Sequence, residues 1–119
     1  MFSETDIQMM RFALEEARIA FAEGEIPVGA VVADGERVLA RAHNRRETDA
    51  DPCAHAEILA LRKAAAHLGR WRLQGLTLYV TLEPCPMCMG AILNARLDSV
   101  YFGAVSYTHL RAHETELHL

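Results

Sequence analysis

Two cysteines three residues apart, Cys85 and Cys88 in the run Thr81-Leu-Glu-Pro-Cys-Pro-Met-Cys-Met-Gly90, constrain this chain more than any other feature. Pro86, directly after the first cysteine, suits the first position of a helix because proline has no amide proton to satisfy there and its φ is already helical. Cys85 then sits at the helix entrance and Cys88 one turn in, on the same side. Both sulfurs can reach one ion, and the positive helix end favours their thiolate forms. Alone, such a pair fits a redox couple or half of a structural zinc site. The upstream stretch Pro52-Cys-Ala-His-Ala-Glu57 adds His55, with Glu57 two residues later. A structural site usually closes all four zinc positions with protein and has no use for a carboxylate beside a ligand. Here His55, Cys85 and Cys88 leave one position open for water, with the Glu57 carboxylate two residues from the histidine.

The remaining chain alternates helices with strands. Residues 4–23 read as a helix, with Ile7, Met10, Leu14, Ala17 and Phe21 recurring at three- and four-residue steps as its apolar face. Ser3 with Asp6 is its expected cap and Gly24 its stop. Residues 25–29 read as a connector, and a strand over 30–33 turns at Asp34-Gly35 into a second strand over 37–44. A polar loop over 44–51 precedes a helix over 54–68. Strands over 76–82 and 99–104 flank a helix over 86–95. Strands separated by helices imply crossover connections and a sheet covered on both faces. The expected fold class is therefore α/β, a three-layer α/β/α domain around a mixed sheet. Both helices that carry the candidate ligands would start at the metal, where developing negative charge is favoured.

At 119 residues and 51% hydrophobic, the chain is sized for one domain with a real core. No run of about 18 apolar residues predicts a membrane helix, and the opening Met-Phe-Ser-Glu-Thr-Asp lacks the layout of a signal peptide. An odd count of three cysteines, two of them suited to metal, fits a reducing, cytoplasmic setting. The net charge of −4 argues against non-specific nucleic-acid binding. Arg62, Lys63, Arg70 and Arg72 nevertheless cluster without an acid between them; they read as a solvated face or as a local anion-binding surface.

The pairing of H-x-E with P-C-x-x-C resembles the signature of the zinc nucleobase deaminases, and the mechanism known for those enzymes is the expectation that the resemblance brings. Together with Pro27-Val-Gly-Ala-Val31, Asn44-Arg45 and Leu78-Tyr-Val-Thr-Leu-Glu-Pro-Cys85, the motifs resemble the bacterial tRNA-specific adenosine deaminases of the cytidine deaminase-like superfamily over about residues 5–104. The resemblance implies Zn2+ held by His55, Cys85 and Cys88, with Glu57 as the proton shuttle. It implies that Asn44 contacts the base, Val28 lines the pocket and the backbone around Ala56 seats the base. It further implies a homodimer acting on the anticodon stem-loop of tRNA, converting wobble adenosine to inosine. A guanine or cytosine deaminase acting on a free base is the alternative; guanine deaminases typically carry Phe where this chain has Val28. A zinc-stabilised module without catalysis is a third reading, and Glu57 speaks against it. Cys53, His43 and His67 read as ordinary residues outside the ligand set, and Trp71 with Arg72 as loop packing or an RNA contact.

After Gly103-Ala104 the resemblance ends. Relatives continue with a further strand and C-terminal helices, whereas this chain reads Val105-Ser-Tyr-Thr-His-Leu-Arg-Ala-His-Glu-Thr115 and stops at Leu119. The segment resembles a translated transposase sequencing adaptor. The expectation is an incomplete zinc deaminase domain over 1–104, with the family's C-terminal strand and helices missing, and a non-native tail over 105–119.

Overall fold

The computed structural model describes residues 2–103 in full and the backbone of 106–109. Its elements are α1 (Glu4–Ala22), β1 (Gly29–Asp34), β2 (Arg37–His43), α2 (Ala56–Leu68), β3 (Thr77–Val80), α3 (Pro86–Asn94), β4 (Ser99–Phe102) and β5 (Ser106–His109). The strands form one mixed sheet in the order β2-β1-β3-β4-β5. β1 runs antiparallel to both β2 and β3, β3 and β4 are parallel, and β5 returns antiparallel to β4.

The two faces of the sheet are separated residue by residue. Along β1, Ala30 and Val32 join the core beneath α2 and α3, while Val31 and Ala33 join the core beneath α1. The same alternation assigns Leu78 and Val80 to the first face and Tyr79 to the second. Every β1 residue except the terminal Asp34 is therefore buried, as a central strand covered on both sides must be. The three-layer α/β/α class read from the sequence is the observed one.

Two expectations need correction. The apolar face of α1 is not the row of large side chains. Met9, Ala13, Ala17 and Ala20 are buried, while Ile7 and Leu14 are exposed and Phe21 is 72% exposed. The cause is close approach: a Cβ on Gly29 would lie 1.9 Å from the Ala13 carbonyl oxygen and 2.6 Å from the Ala17 amide nitrogen. At that distance only alanine fits between helix and strand, so α1 turns its small residues inward. The sheet also does not stop at β4. Ser106–His109 pairs with it from Ser99↔His109 to Phe102↔Ser106, which satisfies backbone groups that an open edge would expose. Residues 104, 105 and 110–119, with most of the expected tail, lie outside the described residues.

Element ends shift by small amounts that matter for the site. α2 starts at Ala56, so His55 is its N-cap, and α3 starts at Pro86, so Cys85 is its N-cap. β3 ends at Val80, after which Thr81 exchanges bonds with Gly29: its amide donates to the Gly29 carbonyl and its hydroxyl accepts from the Gly29 amide, both at 3.1 Å. That exchange anchors the turn into Glu83-Pro84-Cys85 against the start of β1.

Candidate metal centre and pocket

The site forms where α2 and α3 begin, beside the end of β3. Its floor follows from three short backbone links. The Asn44 amide donates to the Val28 carbonyl at 3.1 Å, and the Arg45 amide donates to the Ala54 carbonyl at 2.9 Å. Thr81 supplies the third link through Gly29. They bring the connector before β1, the loop after β2 and the cysteine turn around one point.

At that point the Nδ1 atom of His55 lies 3.3 Å from the Cys88 Sγ and 3.7 Å from the Cys85 Sγ. All three ligand atoms lie within 4.8 Å of one another. A tetrahedral zinc with ordinary Zn–S and Zn–N bonds would hold nitrogen and sulfur about 3.6 Å apart. The donor set, one imidazole nitrogen and two sulfurs, therefore fits zinc in type and spacing. His55 and Cys85 both occupy N-cap positions yet make no side-chain cap bond. Their side chains lie in the donor cluster instead of capping their own helices.

The electrostatics point the same way. Burial, and then the nearby Arg46 charge, hold the His55 imidazole below its ordinary pKa; a neutral ring is the form that binds metal. Burial, and then the Glu57 carboxylate, push the Cys88 thiol well above its ordinary range. A cation among the three donors reverses that preference and favours the thiolate. Glu57 is only 4% exposed, and burial raises its carboxyl pKa above the ordinary value, opposed by its own amide and by Cys88. A carboxyl shifted towards neutrality is suited to both taking and giving a proton.

A cavity of about 120 Å3 opens beside the three donors, lined by Ile26, Val28, Asn44, Arg46, His55, Ala56, Glu57, Leu82, Glu83 and Cys85. Val28, Asn44 and Ala56, the expected substrate contacts, thus share one cavity with Glu57 and two of the three candidate ligands. Cys88 lies behind them, fully buried. Asn44 is buried and its Oδ1 accepts from the Arg46 amide at 3.1 Å. Its amide NH2 is left as the donor available to the cavity.

Other candidates separate from the site. Cys53 is exposed and outside the ligand cluster. His43 is held between Glu16 at 2.8 Å and Glu23 at 2.9 Å, and His67 is exposed. The basic cluster does not reach the cavity. Lys63 donates to the Arg41 carbonyl, Arg70 to the Arg72 carbonyl, and the Arg72 guanidinium lies 4.8 Å from the centre of the Trp71 ring. Arg62 and Trp71 line a separate apolar groove between α2 and α3.

Sequence reasoning misses Glu25, which reads as a connector residue. It is buried, and its carboxylate accepts from the Glu47 amide at 3.2 Å, the Thr48 amide at 2.6 Å and the Thr48 hydroxyl. It ties the 44–51 loop to the segment carrying Ile26 and Val28. Arg46, Ile26, Leu82 and Glu83 are missed as well; adjacency to the motifs is the signal available for them.

A family model described as MafB19-like deaminase matches residues 4–116. The chain belongs to this deaminase family. Among curated relatives, the tRNA-specific adenosine deaminase of Bacillus subtilis is 53% identical over 80% of this chain and 59% of its own length. That of Buchnera aphidicola is 43% identical over 93% of this chain and 73% of its own. Among solved structures, a tRNA:A34 deaminase described in a study of A-to-I editing at the wobble position superposes with a TM-score of 0.78 at 48% identity, covering 80% of this chain and 73% of that one. The guanine deaminase of Bacillus subtilis superposes with a TM-score of 0.79 at 39% identity, covering 82% and 62%. The chain spans about three-fifths of the length of the first curated relatives it matches. Among the described residues, no helix is long and apolar enough to cross a membrane.

Proposed function

We propose that this chain is the catalytic part of a zinc-dependent hydrolase that deaminates adenosine to inosine at the wobble position of a tRNA anticodon stem-loop. The observation that carries the proposal is the single cavity that joins Asn44, Val28 and Ala56 to Glu57 and the His55–Cys85–Cys88 cluster. Relatives named for tRNA adenosine deamination, at identities of 53% and 43%, supply the substrate class.

His55, Cys85 and Cys88 would hold the zinc. When bound, zinc supplies Lewis acidity that brings a water towards ionisation near neutral pH. Glu57 takes a proton at its carboxylate and returns it to the ring nitrogen of the base, which its raised pKa suits. Asn44 donates its free amide hydrogens to an acceptor on the base edge. Ala56 and Val28 shape the walls, and the N-terminus of α2 offers backbone donors where negative charge develops. The base must leave its stack to reach a cavity this small.

The reading extends to a cytoplasmic homodimer in which a second copy completes the cleft for RNA. In it residues 1–104 are the catalytic unit and 105–119 a tail outside it, although the family match runs to residue 116 and Ser106–His109 pair with β4. A guanine deaminase is the second reading, favoured by the superposition on one. The zinc-loaded protein, incubated with the stem-loop RNA, free guanine and free cytosine, should form inosine in the RNA and release no ammonia from the free bases. Turnover of guanine with an inert stem-loop transfers the assignment to the second reading.

A further inference from the structure

Three of the arginines of β2 and its following loop, Arg41, Arg45 and Arg46, meet different surroundings. Arg41 pairs with Glu15 at 2.9 Å and Glu16 at 3.1 Å. Arg45 pairs with Asp49 at 3.1 Å and lies 3.8 Å from Glu23. Among the described residues, no carboxylate or carbonyl accepts from the Arg46 guanidinium, although acids are plentiful nearby. Among those residues Arg46 is also the only arginine or lysine lining the cavity.

Its position is fixed from two sides. The Arg46 amide donates to Asn44 Oδ1 at 3.1 Å, so the backbone that presents the guanidinium also sets the orientation of Asn44. The next two amides, of Glu47 and Thr48, are held by the buried Glu25 carboxylate. The side chain itself is exposed. Beside it the rim carries Ile26, 52% exposed, and Leu82, 53% exposed. These are apolar faces on which a neighbouring base can rest. Glu83 is the opposing charge on the described rim.

The cavity, at about 120 Å3, lies well below the range of pockets that enclose whole ligands, roughly 300–1,000 Å3. It suits a base, and it leaves the ribose and phosphates of a nucleotide at the rim. Resting on the function proposed above, we infer that Arg46 binds a phosphate flanking the flipped nucleotide and selects a base carried in a single-stranded RNA loop over the same base free in solution. Arginine presents a planar fork that matches phosphate oxygens. The contact would act on binding, because the guanidinium stands at the mouth and not at the reacting atoms.

The test uses the full zinc-loaded chain and an anticodon stem-loop RNA with adenosine at the wobble position. Binding is followed by fluorescence anisotropy across a salt series, and kcat and KM are measured on the same RNA. Arg46→Ala should raise Kd and KM about tenfold at low salt, in line with loss of one charge-assisted contact, and leave kcat within about twofold. It should also lower the salt slope by about 0.7, the value for one single-strand phosphate. Arg46→Lys should restore the slope and only part of the affinity. Arg18→Ala, which removes an exposed charge on α1, should change neither. An unchanged Kd and slope in Arg46→Ala overturns the inference while leaving wobble deamination standing, as does an equal loss of slope in Arg18→Ala. A wild-type protein that ignores the stem-loop and turns over free guanine removes both.

Discussion

The three helices among the described residues begin in two different ways. α1 opens on Ser3, whose hydroxyl accepts from the Asp6 amide while the Asp6 carboxylate accepts from the Ser3 amide, both at 3.0 Å. The Tyr79 hydroxyl, donating to Asp6 at 2.7 Å, ties that cap to the sheet. α2 and α3 open on His55 and Cys85, and neither makes a side-chain cap bond. A side-chain cap is typically worth about 1 kcal/mol. The first helix is completed by its own sequence, whereas the other two forgo that stability; the first turn of α2 and the N-cap of α3 line the cavity instead. Local satisfaction marks the scaffold here, and its absence marks the place where chemistry is expected.

The largest effects should fall on the incomplete starts. Cys88→Ala is expected to lose the zinc and all measurable deamination, because the buried thiol is one of the three protein donors in the cluster. Glu57→Gln should keep full zinc content and lose about 10²–10⁴ in kcat, the usual worth of a positioned general acid or base. Metal analysis and kinetics on the same preparations check both. Zinc loss in Glu57→Gln alongside retention in Cys88→Ala would contradict the division between ligand and proton carrier.

Metal removal should sharpen the contrast between helix starts. With a chelator, the Leu59 and Met89 amides, which donate to the His55 and Cys85 carbonyls, are expected to lose protection from hydrogen exchange, while the Ile7 amide, which donates to the Ser3 carbonyl, keeps it. Ser3→Ala should do the reverse, costing about 1 kcal/mol, or a fall in Tm of about 4 °C for a chain of this length, with zinc content and kcat unchanged. Equal loss of protection in all three helices on chelation would break the comparison.

The site is more legible in the sequence than the scaffold beside it. His55, Glu57, Cys85 and Cys88 are residue types with specific chemistry at short spacings, so their convergence needs only two helix starts placed side by side. The packing of α1 is not legible, because apolar periodicity ranks side chains by size. Ile7, Leu14 and Phe21 win that ranking, yet the helix lies so close to Gly29 that only Ala13 and Ala17 fit against the strand. Nothing in the order of residues reports that distance. Glu25 is missed for a related reason. An acid after a helix ordinarily reads as solvated, and its burial depends on Glu47 and Thr48, which reach it only once β1 and β2 have paired.

Glu25 carries the smallest expected effect, and it lies where the self-capped helix is joined to the half that carries the candidate metal centre. It follows α1 directly, and its carboxylate holds the 44–51 loop that leads to α2. The Thr48 hydroxyl bond lowers the Glu25 pKa from its ordinary 4.5; burial works against this, and the Thr48 and Glu47 amides and the Arg45 charge add to the lowering. An acid whose pKa is depressed by folding contributes stability above its unfolded value and loses it as pH falls through the folded value. The loop should therefore be anchored at neutral pH and released as pH drops below 4.5 towards the lower folded value. Opening of the Glu47 and Thr48 amides, read by hydrogen exchange relative to Val31 in the central strand, should increase across that window. Thr48→Val removes the largest stabilising bond and should move the release to higher pH. Glu25→Gln, which cannot ionise, should abolish the pH dependence at these two amides. If opening in the wild type stays level through that window, the carboxylate does not hold the loop, and the junction between the two halves rests on the Arg45–Ala54 and Asn44–Val28 backbone bonds alone.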